Sequence, residues 1–125
     1  MVNDKILAGG APRPSFPISP YVRSGGFLFL SGQMSFKNGI IFGGDIESQT
    51  NILIDNISEL LESLGRTLSD VVKTTVWLVN GSDFVGFNAA YSQRFSNPFP
   101  ARSTVVSQLL IPGALVEMEA VVAEA

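Results

Sequence analysis

One arginine stands directly before a β-branched run in the segment PFPARSTVV, residues 98–106. A guanidinium keeps its charge at any pH that a protein meets, so Arg102 is costly to bury at the start of a strand. Two arrangements offset that cost. Either a carboxylate of the same chain pairs with Arg102, or the arginine binds an anion from outside.

Two carboxylates lie in the segment ALVEMEAVVA near the end of the chain. Because side chains alternate between the faces of a strand, Glu117 and Glu119 share one face. Pro112 and Gly113 form a turn pair, and if this turn joins two antiparallel strands, Arg102 and Glu117 lie near the same end of neighbouring strands. They would then flank one small pocket. The alternative is a structural ion pair across the two strands.

The composition restricts the chemistry to few side chains. The sequence has no cysteine and no histidine, which removes thiolate nucleophiles, the commonest metal ligands and the usual general base. Any catalysis must use Arg, Glu, Asp, Tyr, Ser, Thr, backbone groups and water. Metal ligands are scarce, and no glycine-rich loop follows a strand and opens a helix in the dinucleotide pattern, so we predict no cofactor.

Length and charge bound the class of protein. The chain has the length of one domain, and we predict a single domain over residues 1–125. The net charge is −3 and the basic residues are scattered, so we expect no nucleic-acid partner. No apolar run approaches the roughly 18 residues of a membrane-spanning helix, and the first residues lack a basic region before an apolar core. We therefore expect no membrane association and a cytoplasmic location.

Turn residues and periodicity predict the elements of the first half. Gly25 and Gly26 join two short strands, the second of which covers residues 27–31. Asp45 is the N-cap of a helix with apolar residues at spacings of three and four, and Gly65 ends it. The first half therefore predicts a strand pair followed by an amphipathic helix.

The second half predicts three strands and a helix. Residues 71–79 are rich in β-branched side chains, which is typical of a strand in a covered sheet. Ser82 or Asp83 can cap a second helix, and Pro98 and Pro100 close it. The last two strands carry the arginine and the carboxylates described above.

This order of elements favours an α+β fold with one mixed sheet and both helices on one of its faces. Hydrophobic residues make up 46% of the chain and charged residues only 15%, which is apolar for a small domain. We therefore expect the second face of the sheet to pack against neighbouring subunits.

Several segments occur together in this sequence: SPYVRSGGFLFLSGQM, VVKTTVWL followed by DFVGFNAAYSQRF, and PFPARSTVV with GALVEMEAVV. With them the chain resembles the RidA (YjgF/YER057c/UK114) family of reactive intermediate deaminases over nearly its whole length. The most specific part is the Arg-Ser step followed, at this spacing, by a Val-Glu-x-Glu strand. The resemblance implies a chorismate mutase-like α+β fold and a homotrimer with three clefts between subunits.

The resemblance also implies an activity and its residues. Enamines and imines such as 2-aminoacrylate and 2-iminopropanoate would be hydrolysed to a 2-keto acid and ammonia. Arg102 matches the family arginine that holds the substrate carboxylate, and Glu117 matches the glutamate that positions the attacking water. Tyr21 and Ser31 match hydroxyl-bearing residues of the cleft, and Asn88 matches a position in the cleft wall.

Each of the last three has a structural alternative. The residue types equally predict Tyr21 as a strand residue that covers the core, Ser31 as a turn residue, and Asn88 as a helical residue that faces solvent. One departure is Thr104, which stands where many family members have a cysteine. We expect Thr104 to be compatible with activity, because imine hydrolysis needs a polarised C=N bond and a placed water rather than a covalent nucleophile.

Other functions remain open at this point. The cleft could bind a small carboxylate without turnover, or serve a pathway-specific deaminase such as one acting on 2-aminomuconate, with residues 36–44 shaping the specificity. A role in protein interaction through apolar surface is a third possibility. Binding of keto acids without acceleration of imine loss would distinguish the non-catalytic alternative.

Overall fold

The computed structural model describes residues 16–124. The start of the chain, on which part of the cytoplasmic prediction rests, lies outside these residues. Within them the elements are β1 (Tyr21–Ser24), β2 (Phe27–Leu30), β3 (Phe36–Lys37), β4 (Ile40–Ile41), α1 (Ile46–Ser63), β5 (Val71–Leu78), α2 (Phe84–Arg94), β6 (Ala101–Val106) and β7 (Val116–Ala123). Single turns of 3-10 helix precede β5 and α2.

Five strands form one mixed sheet in the spatial order β1-β2-β7-β5-β6. Neighbouring strands are antiparallel except for β5 and β6, which are parallel and are connected through α2. β1 and β2 form the predicted hairpin, and Gly25 and Gly26 have φ values of 60° and 84°. Positive φ at both turn residues is the geometry that matches the twist of the strands, and glycine adopts it without steric strain. β3 and β4 form a separate hairpin, which we did not predict as strands.

The expectation that β6 and β7 are neighbours is wrong. β5 lies between them, and residues 107–115 carry the chain from β6 past β5 to β7. The turn at Pro112 and Gly113 belongs to this longer connection. In its position β7 pairs with β2 on one side and with β5 on the other, so both rows of its backbone groups are hydrogen-bonded.

α1 begins and ends as predicted. Asp45 accepts a hydrogen bond of 2.9 Å from the backbone N–H of Ser48, and the Ser48 side chain completes a capping box. At the other end Gly65 has a φ of 73°, and the N–H of Arg66 donates to the carbonyl of Leu61 at 2.8 Å. This is the Schellman arrangement, in which a left-handed residue ends the helix and satisfies its last carbonyls.

α2 starts at the predicted position but without the predicted side-chain cap. Asp83 occupies the N-cap position, yet its side chain makes no capping hydrogen bond. The helix ends at Arg94, before the prolines. Phe87, Tyr91 and Phe95 follow one another along its buried face, with ring centroids 5.4 Å and 4.5 Å apart.

Both helices cover the same face of the sheet, which confirms the predicted α+β architecture. Side chains from α1, α2 and the sheet meet in one core, and several are fully buried: Leu53, Ile57, Val76, Phe87 and Met118. Within residues 16–124 no element covers the opposite face. Strand register and burial place a set of exposed apolar side chains there: Val22, Phe27, Phe29 and Val105. We call this the uncovered face.

The buried amide of Gln49 ties α1 to the loops on either side of it. Its Nε2 donates to the carbonyls of Gly43 at 3.0 Å and Gly113 at 2.9 Å, and its Oε1 accepts from the N–H of Leu115 at 2.9 Å. Leu115 directly precedes β7, so these bonds fix where that strand begins. Loss of the amide would leave several backbone groups in the interior without partners.

We predict that Gln49→Leu lowers the free energy of unfolding by about 3 kcal/mol, because an unsatisfied buried polar group costs roughly 1–3 kcal/mol. Urea unfolding followed by circular dichroism at a fixed protein concentration measures the change. Gln93→Leu makes the same substitution at an exposed position of α2 and should stay within about 0.5 kcal/mol of wild type. Equal losses in the two variants would contradict the role assigned to Gln49.

Candidate functional site

Arg102 lies on the helix-covered face of the sheet. The parallel register sets it beside Thr74 of β5, a fully buried residue. Its guanidinium carbon lies 4.8 Å from the ring centroid of Tyr91, 5.3 Å from that of Phe87 and 5.8 Å from that of Phe84. Aromatic rings at these distances attract a cation and displace water from it.

Asn88 is the only hydrogen-bond partner of the Arg102 guanidinium within residues 16–124. Nη2 of Arg102 donates to Oδ1 of Asn88 at 2.7 Å. Asn88 therefore contacts the arginine, whereas the structural alternative predicted that it faces solvent. No carboxylate pairs with Arg102 in this part of the chain, whose ion pairs are Arg23–Glu124, Arg66–Glu124 and Arg94–Asp55. The predicted alternative of a structural ion pair is therefore wrong for these residues. The other N–H donors of the guanidinium have no hydrogen-bond partner among residues 16–124.

An open depression borders the guanidinium at the edge of the sheet. Its lining residues are Asn88, Tyr91, Ser92, Phe99, Pro100 and Arg102. Thr104 follows on the same face of β6, opposite Val76 in the parallel register. The structure thus brings Arg102, Asn88 and Thr104 to one side of an edge strand. We call these three residues the arginine site.

Glu117 lies on the uncovered face. Its neighbours Val116 and Met118 are buried beneath the helices, so Glu117 and Glu119 point to the other side, as predicted. Gly32 packs directly against Glu117, because a Cβ at Gly32 would overlap the Glu117 carboxylate. Within residues 16–124 no cation pairs with Glu117.

Partial burial raises the pKa of Glu117 above its ordinary value, and the like charge of Glu119 raises it further. Burial disfavours the charged carboxylate because a medium of low dielectric solvates it less well than water does. A carboxylate with a raised pKa is a stronger base, and such a group suits proton abstraction from water near neutral pH.

Ser31 is the chain neighbour of Gly32, which packs against Glu117, and Tyr21 lies at the same end of the sheet. Ser31 directly precedes Gly32, and its hydroxyl donates to the carbonyl of Ser19. Tyr21 opposes Leu30 in the β1–β2 hairpin, and its ring is part of the core. The Tyr21 hydroxyl is buried and has no hydrogen-bond partner within residues 16–124. The structure therefore places Ser31 one residue from the Glu117 contact, and within residues 16–124 neither hydroxyl bonds to Glu117.

Arg102 and Glu117 occupy opposite faces of the sheet. Arg102 is opposite Thr74 and Glu117 is opposite Trp77, three residues further along β5. Strand spacing and rise per residue place their Cα atoms about 14 Å apart. The expectation that these two side chains flank one pocket within the chain is wrong.

Comparison with known proteins identifies the family. The sequence profile described as Endoribonuclease L-PSP matches residues 9–124. The crystal structure of RidA from an Antarctic Psychrobacter species has a TM-score of 0.84 and 31% sequence identity, and the match covers 95% of this chain and 98% of that one. The chain belongs to the RidA family.

Two relatives of this RidA-family chain have different names. A RutC family protein of Pyrococcus abyssi is 40% identical over 123 residues, which cover 97% of each chain. A 2-iminobutanoate/2-iminopropanoate deaminase of Dermatophagoides farinae is 36% identical over 114 residues, which cover 90% of this chain and 89% of that one.

The aromatic contacts of Arg102 were not predicted from the sequence. Phe84, Phe87 and Tyr91 follow helical spacing. That spacing indicates that the three rings lie on one face of α2. It could not show that Arg102 lies beneath this face, because this depends on the parallel pairing of β5 with β6.

None of the helices formed by residues 16–124 is both long enough and apolar enough to span a membrane. No group of three or more Asp, Glu, His or Cys side chains among these residues is arranged to hold a metal ion.

The raised pKa of Glu117 predicts how stability depends on pH. The folded protein keeps the Glu117 proton over a pH range in which the unfolded chain has lost it. The contribution of protonated Glu117 to stability is therefore complete below the pKa of the unfolded chain, and it is lost as the pH rises through the pKa of the folded protein. Wild type should therefore lose stability relative to Glu117→Gln as the pH rises from the ordinary glutamate pKa of about 4 through the raised pKa of the folded state. Urea unfolding at fixed protein concentration across this range measures the difference.

Glu119→Gln provides a second comparison. It removes the like charge that contributes to the raised Glu117 pKa, so the pH dependence that separates wild type from Glu117→Gln should become smaller in the Glu119→Gln background. A stability difference that does not vary with pH would contradict the account of Glu117.

Proposed function

We propose that the protein hydrolyses small 2-imino acids and their enamine tautomers, of the 2-aminoacrylate and 2-iminopropanoate type, to 2-keto acids and ammonia. The observation that carries this proposal is Arg102, a half-buried cation held by Asn88 and aromatic rings, without a carboxylate partner among residues 16–124. The planar guanidinium suits two parallel hydrogen bonds to a carboxylate. Membership of the RidA family and a relative named as a deaminase support the reaction type.

In the proposed reaction Arg102 holds the substrate carboxylate while water attacks the imine carbon. Glu117 accepts a proton from the water as the C–O bond forms, and the imine nitrogen takes up a proton to give a carbinolamine. The hydroxyl proton then passes to the amino nitrogen, the C–N bond breaks as the keto group forms, and ammonia leaves. These reaction steps use no thiol or imidazole. They therefore agree with a chain that has no cysteine or histidine and carries Thr104 near the arginine.

The proposal takes the two groups from different subunits. A three-carbon acid is too short to reach both Arg102 and Glu117 across about 14 Å. The uncovered face exposes apolar side chains, including Phe27 and Phe29, and a patch of this kind is typical of a protein interface. We propose a homotrimer in which the arginine site of one subunit faces Glu117 and Ser31 of the next.

Two earlier expectations stay predictions within this proposal. Tyr21 would belong to the same half of the cleft as Ser31, but its buried hydroxyl would have to become accessible there. A cytoplasmic location would suit a protein that removes reactive intermediates where they are released.

We propose a small carboxylate rather than a phosphate backbone as the partner, although the matching profile is named for an endoribonuclease. The net charge of the chain is −3. Among residues 16–124, Arg23, Arg66 and Arg94 are paired with carboxylates. A protein that binds nucleic acid electrostatically needs unpaired basic residues along one surface.

Arg102→Ala and Glu117→Gln are each expected to reduce imine hydrolysis by about a hundredfold or more, the range associated with loss of a general base or of substrate positioning. 2-Iminopropanoate is generated with an amino acid oxidase, and semicarbazide traps what the protein does not hydrolyse. Arg102→Lys keeps the charge but loses the planar fork, so it should be intermediate. Glu62→Gln, the same change at an exposed position of α1, serves as the control.

Two results would count against the deaminase. Wild type that leaves semicarbazide trapping unchanged, yet binds pyruvate in an Arg102-dependent way, would favour the non-catalytic carboxylate-binding protein. Full activity in Arg102→Ala would remove the arginine site from the mechanism altogether.

Mixing two inactive variants tests whether the site is shared. If Arg102 and Glu117 act from neighbouring subunits, random assembly of equal amounts of Arg102→Ala and Glu117→Gln should restore about one quarter of the native sites. The variants are unfolded together, refolded, and assayed at the same total concentration as each variant alone. Sites built within one subunit would leave the mixture inactive.

A further inference from the structure

Tyr91 connects the guanidinium of Arg102 to the interior of the protein. Its ring lies nearest to the guanidinium carbon of the three surrounding rings, at 4.8 Å. Its hydroxyl and that of Thr74 form a hydrogen bond of 2.8 Å. Tyr91 is 4% exposed and Thr74 is fully buried. The ring therefore cannot turn away from Arg102 without breaking a polar bond in the interior.

The strand register places Thr74 next to Arg102, and Thr74 also bonds to Tyr91. Thr74 is the residue opposite Arg102 in the parallel pair of β5 and β6, so one residue is next to the Arg102 backbone and also holds the ring that contacts its guanidinium. Asn88, three residues before Tyr91 on the same helix, accepts a hydrogen bond from the guanidinium. Burial raises the pKa of Tyr91, which keeps its hydroxyl protonated and able to share the bond with Thr74.

We propose that Tyr91 is a positioning residue, whose ring, fixed by Thr74, holds Arg102 in the orientation that receives a substrate carboxylate. The inference rests on the proposed function, since it assigns a purpose to the same arginine site. A side chain that is ordered before the ligand arrives loses less rotamer freedom on binding, and affinity rises accordingly. Tyr91 contributes through Arg102 and is not assigned a contact with the reacting atoms.

The first experiment observes Arg102 without any ligand. In the nuclear magnetic resonance spectrum of ¹⁵N-labelled protein, the Arg102 Nε–Hε signal should be sharp and slow to exchange with water, and Arg102→Lys identifies it by its disappearance. Tyr91→Leu should broaden the signal or speed its exchange, and Tyr91→Phe, which keeps the ring but loses its bond to Thr74, should have a smaller, intermediate effect. An unchanged signal in Tyr91→Leu would overturn the proposal.

The second experiment measures pyruvate binding by calorimetry. Tyr91→Leu should weaken binding by about tenfold, the range expected for loss of a partly buried cation–π contact. Tyr91→Phe should stay within about threefold of wild type. In an Arg102→Lys background Tyr91→Leu should cause a much smaller further loss, because the ring acts through the planar guanidinium. Equal losses in both backgrounds would show a merely structural role.

Two further variants separate positioning from general damage to α2. Phe95→Leu removes a ring that packs on Tyr91 at 4.5 Å but is not among those near the guanidinium, so it should lower stability and leave pyruvate affinity within about twofold. Phe84→Leu changes a ring that is 43% exposed and should fold normally, with a smaller loss of affinity than Tyr91→Leu. The reverse order would contradict the inference.

The two proposals fail in different ways. Wild type that binds pyruvate but does not hydrolyse imines would end the deaminase proposal while the affinities still support the positioning role. Tyr91→Leu that binds pyruvate as wild type does would overturn the positioning role, whatever the activity. If wild type binds no pyruvate, the proposed function fails at its first step, and the Arg102 signal decides whether Tyr91 holds the guanidinium.

Discussion

The parallel pairing of β5 with β6 determines where the charged groups of this protein lie. The connection between these strands runs through α2, and it brings Arg102 beneath the aromatic face of that helix. On the other side of β5, β7 presents Glu117 to the opposite face of the sheet. A hairpin of β6 and β7 would have made the two charges neighbours and allowed an internal ion pair. The parallel arrangement keeps them apart.

The separation leaves two half-buried charges without a partner of opposite sign among residues 16–124. Each has a partial compensation within the fold. Asn88 and the aromatic rings offset part of the free-energy cost of desolvating Arg102. Partial burial raises the pKa of Glu117, so its neutral form is favoured. A bound anion at one site, or a second subunit over the other, would lower the free energy further.

Local features could be predicted from the sequence because local residues determine them. The Asp45 cap, the end of α1 at Gly65 and the Gly25–Gly26 hairpin all follow from short-range backbone preferences. The alternation that places Glu117 and Glu119 on one face follows from strand geometry alone. The order of strands depends on which edges remain to be paired across the whole sheet, and no local pattern encodes it. The predicted neighbours of Arg102 were therefore wrong. Its residue type alone still indicated a cation that needs a partner.

The central claim, that one small acid lies between Arg102 of one subunit and Glu117 of another, is tested most directly by a crystal structure of the protein with pyruvate. The account predicts a carboxylate on the Arg102 guanidinium and a keto carbon that faces Glu117 of the neighbouring subunit. Pyruvate held by residues of a single subunit, or an Arg102 occupied by a carboxylate of the protein itself, would contradict it.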